Sequence, residues 1–258
     1  SSTVALAAQM AAQDLDMVIH TGDVVDVTDP QADPFQAYAR QFYAPFAPLL
    51  TRMPVYTVIG NHDYQADIRW QGAPFYDHAF PPFDDPRIPP AGEGAGRRRF
   101  YAFARGNVQF LMLDSQVFFG VAGRAEQETW LRDRLADPRF ALTIPVLHVS
   151  PYSSSAVHPA DSWPVRQTWG PLFAGAGVRL VLSGHSHHYE RLLADGVTYL
   201  VSGGGSATLY ALGERLLESQ VAARRTHFVR LEFWPDRVQL TAIALGGEVL
   251  DQATIPLR

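Results

Sequence analysis

Four short apolar runs in this chain end in the same way, in a cluster of residue types that bind metals. Met17-Val18-Ile19 leads to Gly22-Asp23, Val55 to Ile59 leads to Gly60-Asn61-His62-Asp63, Ile144 to Leu147 leads to His148, and Leu180 to Leu182 leads to Gly184-His185-Ser186-His187. Short apolar runs bounded by Gly and polar residues are the pattern of buried strands. In open α/β sheets, sites form where the carboxyl ends of strands converge. Four such ends carrying Asp, Asn and His predict one polar centre at the edge of a buried sheet. The residue types predict metal-assisted chemistry there.

The ligand chemistry is narrowed by what is missing. The chain has no Cys, so thiolate ligands, disulfides and Cys nucleophiles are excluded. Any metal must be held by His, Asp, Glu, Asn or Tyr. The net charge of -5 gives no basic footprint for nucleic acid. All 21 basic residues are Arg. No run approaches the ~18 apolar residues of a membrane span.

Helices are expected from about Thr3 to Gln13, over 35 to 52 and over 124 to 136. The second of these places Phe35, Tyr38, Phe42, Phe46 and Leu49 at spacings of three and four. Residues 64 to 99 read as a long irregular stretch rich in Pro, Gly and aromatics, the kind of loop that is usually functional or mobile. The Arg97-Arg98-Arg99 run in it reads first as a solvated face, with a phosphate-facing patch as the alternative. Phe100–Phe103 and Val108–Leu113 read as paired strands. After His187 the chain reads as all-β, with strands at Val197–Val201, His227–Phe233, Val238–Leu245 and Val249–Ile255. Alternating elements followed by strands suit two packed sheets flanked by helices in one domain.

Each polar cluster taken alone has a plain structural reading. Asp23 can cap a helix after a strand. Gly60-Asn61-His62-Asp63 can be a turn with unusual backbone angles. A lone His148 at a strand end is more often a hydrogen-bonded core residue than a ligand. The functional readings differ. The two oxygens of Asp23 can bridge two cations. Asn61 can ligate without adding charge, His62 can reach a substrate, and Asp63 can orient or polarise His62. His185 and His187, two apart in an extended segment, point to the same side and can serve adjacent ions, while His188 falls on the opposite side. The ordered set, each member after a strand, is what carries the argument.

In order, Gly22-Asp23-x-x-Asp26, Gly60-Asn61-His62-Asp63, His148 and Gly184-His185-x-His187 resemble the calcineurin-like metallophosphoesterase superfamily. The run from His148 to Ser155, then His158, then Trp169 to Phe173, then Leu182 to Arg191 resembles purple acid phosphatases and their bacterial relatives. The resemblance covers most of the chain, including the closing segment Gly247 to Asp251. It implies a four-layer αββα sandwich of two packed mixed β-sheets flanked by helices, with residues 1–258 forming a single catalytic domain. It implies two divalent or trivalent ions, Fe, Zn or Mn, bridged by Asp23. Asn61, His148 and His185 would bind one ion, and His187 the other. His62 would face the phosphate, and His158 resembles a substrate-facing His, its alternative being an exposed loop residue. The implied reaction is hydrolysis of small phosphate monoesters by a metal-bridging hydroxide. A phosphodiesterase or nucleotidase on the same scaffold is the neighbouring alternative. Export to the periplasm or outside the cell is implied by the resemblance alone.

The chain departs from that pattern twice. The family opens with a strand ending in Asp-x-His or Asp-x-Gly, whose Asp binds the first metal, and no such segment precedes Asp23. The expectation is that this strand lies just upstream; without it, a non-catalytic metal-binding domain is the alternative. Asp26 stands where purple acid phosphatases carry a Tyr that binds ferric iron. A carboxylate cannot give that charge transfer, so a purple iron centre is not expected.

Overall fold

A computed structural model describes residues 1–28, 33–64, 73–80, 85, 87–88, 99–205 and 208–257. Among the described residues, twelve strands and six α-helices are laid out in four layers. The largest layer is a seven-stranded mixed sheet built from β3 (Tyr101–Arg105), β4 (Val108–Leu113), β5 (Leu142–Leu147), β6 (Leu180–Ser183), β7 (Tyr189–Ala194), β8 (Val197–Ser202) and β9 (Ser219–Ala223) in the order β3-β4-β5-β6-β8-β7-β9. β4, β5, β6 and β8 run parallel.

Strand periodicity decides which face of this sheet each side chain enters. Leu111, Leu113, Leu147, Val181 and Val201 pack on one face against Trp130, Leu131, Val165, Trp169 and Phe173. Those partners come from α5 (Arg124–Leu135) and α6 (Ser162–Gly175). Phe110, Met112, Ile144, Val146, Leu180 and Leu182 enter the opposite face. There they meet a second β layer in two parts. One part is the parallel pair β1 (Val18–His20) and β2 (Val55–Thr57). The other is the antiparallel β10 (His227–Phe233), β11 (Arg237–Ala244) and β12 (Val249–Pro256). Val238, Leu240, Ala242 and Ile255 from the second part join the same core, and Ile19 and Tyr56 pack against it. The outer layer is α1 (Ser2–Ala11) and α3 (Ala44–Leu50), whose Ala7, Ala11 and Leu49 bury Val18. The expected four layers are present.

The expected helix over 35 to 52 is one continuous helical run of three kinds of turn. It begins as α2 (Pro34–Ala37), widens into a π-helical segment over Tyr38–Tyr43 and closes as α3. Pro45 and Pro48 sit in α3 without N–H groups to donate. Helix α6 was not expected, because Pro164, Gly170 and Pro171 obscure its pattern; β7 and β9 were not expected either. Most of the 64–99 stretch lies outside the described residues, apart from α4 (Pro74–Ala79). Arg97 and Arg98 also lie outside them. Arg99 corrects the solvated reading of that run: it is buried, and its guanidinium donates to Tyr64 Oη, which in turn donates to Asp114. Among the described residues no helix is long and apolar enough to cross a membrane.

One buried polar hub holds the strand that follows His187. Glu190, fully buried on β7, accepts from Ser154 N at 2.8 Å, Ser154 Oγ at 2.6 Å and Ser219 Oγ at 2.5 Å. His188 Nε2 lies 3.1 Å from its other side. His188 therefore points into the protein, as its parity suggested. Burial works to raise the Glu190 carboxyl, but the bonds from His188, Ser154 and Ser219 together outweigh it and hold the group at about 2, below its ordinary 4.5. The sign is that of a depressed acid. The stabilisation is present above pH 4.5 and is lost as pH falls toward 2. Glu190→Gln is expected to cost about 2–3 kcal/mol at neutral pH, because an amide N–H₂ would face donors. The difference from the unaltered protein should shrink below pH 4.5, as followed by urea denaturation at both pH values. An equal difference at pH 7 and pH 3 would contradict the charge assignment.

Candidate metal centre

The carboxyl ends of β1 and β2 in one sheet and of β5 and β6 in the other meet at one end of the sandwich. Three residues past β1 comes Asp23, four past β2 comes Asn61, directly after β5 comes His148, and two past β6 comes His185. Within each layer the loops are tied to one another by hydrogen bonds. Gly184 N–H donates to His148 O at 3.0 Å, and His62 N–H donates to Asp23 Oδ1 at 2.9 Å. Close approach is possible because two positions lack a side chain. A Cβ on Gly22, which has φ +96°, would strike the His148 ring, and a Cβ on Gly60 would strike the backbone and carboxylate of Asp23.

Three of the four described non-glycine residues with positive φ lie here: Asp23 at 52°, His158 at 56° and His185 at 63°. Such strain persists where the surroundings over-determine it, and it clusters at functional sites. The Gly184–His188 segment is not the extended run expected from sequence. Ser186 N–H bonds to Gly184 O and His188 N–H to Ser186 O, each at 2.7 Å. These are successive three-residue turns.

Ligand atoms of Asp23, His148 and His185 lie within 4.8 Å of one another. His148 Nε2 is 3.1 Å from Asp23 Oδ2, 3.2 Å from Asn61 Oδ1 and 3.3 Å from His185 Nδ1; His185 Nδ1 is 3.1 Å from Asn61 Oδ1. The proton inventory of this group is forced by its outer partners. His148 Nδ1 lies 2.7 Å from Thr21 O, and His185 Nε2 lies 3.0 Å from Asp161 Oδ2. A carbonyl and a carboxylate only accept, so each imidazole carries its hydrogen on that outer nitrogen. In the neutral rings the inner nitrogens are then lone pairs, and they face the oxygens of Asp23 and Asn61. Four acceptors aimed at one another repel unless a cation, or a proton on His148, stands between them. A cation of the kind bound by oxygen and imidazole fits this donor set.

The charges agree with that reading. Burial alone would raise Asp23, but His148 and His62 beside it hold its carboxyl well below the ordinary range. Burial alone would lower His148, but the Asp23 carboxylate outweighs it and the net shift is upward. Burial lowers His185 and His187 and keeps them neutral, as ligands must be. His187 stands beside the cluster. Its Nδ1 donates to Thr208 O at 2.6 Å and its ring stacks on Tyr210, centroids 3.9 Å apart.

The remaining candidates divide. His62 is at the rim, its side chain 40% exposed, with Nδ1 3.3 Å from Asp26 Oδ1. Asp63 does not take the orienting position anticipated for it. It is buried and accepts from Gly60 N at 2.8 Å, Val25 N at 3.1 Å and Val24 N at 3.3 Å, clasping the two ligand loops together. Burial and the Asp23 charge push its carboxyl up to about 7. The carboxylate next to His62 is Asp26. His158 is half-exposed at the opposite rim, its ring 5.5 Å from that of His185. Sequence reasoning missed Asp161, Tyr210 and the carbonyls of Thr21 and Thr208. Asp161 follows His158 by three residues, a spacing that could have drawn attention; the others left no signal in the sequence.

The calcineurin-like phosphoesterase family model matches residues 2–189, most of the chain. Purple acid phosphatase 23 of Arabidopsis thaliana is 27% identical over 148 residues, which are 56% of this chain and 31% of that protein. Purple acid phosphatase 22 of the same plant is 26% identical over 194 residues, 73% of this chain and 42% of that one. The structure of a purple acid phosphatase from yellow lupin (Lupinus luteus) seeds superposes with a TM-score of 0.74 at 20% identity, over 99% of this chain and 49% of the other. The chain thus spans less than half the length of each of these relatives. Family model and fold agree: this chain belongs to the calcineurin-like phosphoesterase family, and the relatives it resembles here are purple acid phosphatases.

Proposed function

We propose that residues 1–258 form one catalytic domain that hydrolyses small phosphate monoesters with two metal ions. The observation that carries the proposal is the group of four acceptor atoms from Asp23, Asn61, His148 and His185, three of them within 3.3 Å of His148 Nε2, with His62 and His158 exposed nearby. In this reading Asn61, His148 and His185 would hold one ion, with Asp23 and His187 available to a second. When bound, a pair of such cations, Fe, Zn or Mn, supplies Lewis acidity to the phosphoryl group and acidifies the attacking water.

The chain's own residues supply the rest. His62 would offer a hydrogen bond to a phosphoryl oxygen, with its Nδ1 3.3 Å from Asp26 Oδ1. Asp63 keeps the Asn61 and Asp23 loops in register through its three backbone bonds. His158, whose ring lies 5.5 Å from that of His185, would give a proton to the departing alkoxide. Gly22 and Gly60 let the ligand loops approach as closely as they do, since a side chain at either would clash with His148 or Asp23.

With p-nitrophenyl phosphate as substrate, His62→Ala is expected to lower kcat by about 10²–10⁴-fold while the bound metal stays constant. Full turnover in that variant would remove His62 from the mechanism. Asn61→Ala and His148→Ala are expected to lose the first ion, read by elemental analysis after dialysis; retention at the unaltered level would refute the ligand assignment. The monoester reading predicts a kcat/KM for p-nitrophenyl phosphate at least about tenfold above that for bis(p-nitrophenyl) phosphate, a gap of about 1.4 kcal/mol in transition-state stabilisation. The reverse order would make the protein a diesterase.

A further inference from the structure

Asp161 occupies the N-cap position of α6, where an Asp side chain ordinarily accepts a backbone N–H of the first turn. It makes no such bond. Its Oδ2 instead lies 3.0 Å from His185 Nε2 and 3.9 Å from His158 Nδ1. The turn that delivers it is closed by Asp161 N–H donating to His158 O at 3.2 Å, with His158 at φ 56°. Strained backbone and a forgone cap both serve to aim this carboxylate at the back of His185.

The consequence follows from the proton inventory. Because Asp161 only accepts, His185 carries its hydrogen on Nε2, and its lone pair is left on Nδ1, the atom 3.1 Å from Asn61 Oδ1 and 3.3 Å from His148 Nε2. His148 and His187 are oriented in the same sense by the carbonyls of Thr21 and Thr208. Those two partners are neutral backbone groups. Asp161 is a side chain with a full charge, and His185 holds its carboxyl below the ordinary range. A carboxylate behind an imidazole raises its basicity toward a metal and fixes the ring plane.

We infer that Asp161 is the positioning residue for His185, selecting its Nε2–H tautomer and so setting the affinity of the Asn61–His148–His185 ion site. This rests on the metal reading above. It is tested by titrating Zn²⁺ into metal-stripped protein by calorimetry. Asp161→Ala is expected to weaken the first equivalent by about 10–100-fold. Asp161→Asn, which keeps the shape without the charge, should lose less, and Asp161→Glu should recover part of the affinity. Histidine ¹⁵N spectra should show His185 as the Nε2–H tautomer in the unaltered protein and lose that bias in Asp161→Ala.

Unchanged Zn²⁺ affinity in Asp161→Ala together with a raised KM would overturn the inference and make Asp161 a substrate contact. If Asp161→Ala fails to fold, Asp161→Asn decides, and an affinity equal to that of the unaltered protein overturns the inference. An unaltered protein that takes up no Zn²⁺ would instead refute the metal reading, and the inference with it.

Discussion

His148 joins the two β layers at the point where the site forms. It leaves β5 in the large sheet, its carbonyl accepts from Gly184 after β6, and its ring donates across to Thr21 after β1 in the other layer. The inner nitrogen is then left facing Asp23 and Asn61. One buried side chain therefore fixes the spacing of three ligand loops and the direction of its own lone pair. The same placement accounts for Gly22, since any side chain there would meet the His148 ring. The geometry of the centre is thus a property of how the sheets pack, and the loops follow.

Around that contact the protein assembles acceptors that repel unless a cation, or a proton on His148, stands between them. Asp23 and Asp63 are both enclosed, and Asp63 spends its oxygens on backbone N–H groups. His185 and His187 are held neutral by burial. On the proposed reading, the collected acceptors, the left-handed backbone at Asp23, His158 and His185 and the support behind each imidazole all serve a positive ion. The Glu190 hub extends the same economy outward. Through Ser154 it ties the segment leading to His158 and Asp161 onto β7.

Much of this was legible in the amino-acid sequence because buried strands announce themselves as apolar runs. The residues that follow them stand at the sheet's carboxyl edge whatever the loop does. That is why Asp23, Asn61, His148 and His185 could be named in advance and are found together. Local direction was less legible. Asp63 was expected beside His62, yet a carboxylate after a tight turn found three unpaired N–H groups closer, and Asp26 took the place near the imidazole. The His185–His187 segment reached its geometry through successive turns. Asp161 and Tyr210 depend on tertiary packing between distant segments, and helix α6 was hidden by its prolines and glycine. Periodicity reports which face is buried; it carries no information about which polar partner a buried group meets.

The central claim is that the acceptor cluster of Asp23, Asn61, His148 and His185 is a cation site. Its most direct test is elemental analysis of the protein purified without added metal or chelator. The account predicts at least one equivalent of Fe, Zn or Mn per chain, resistant to dialysis, and two equivalents where the second site has its further ligand. Less than about a tenth of an equivalent, with none gained on adding Zn²⁺ or Mn²⁺, would contradict it and leave a protonated His148 as what holds the cluster together.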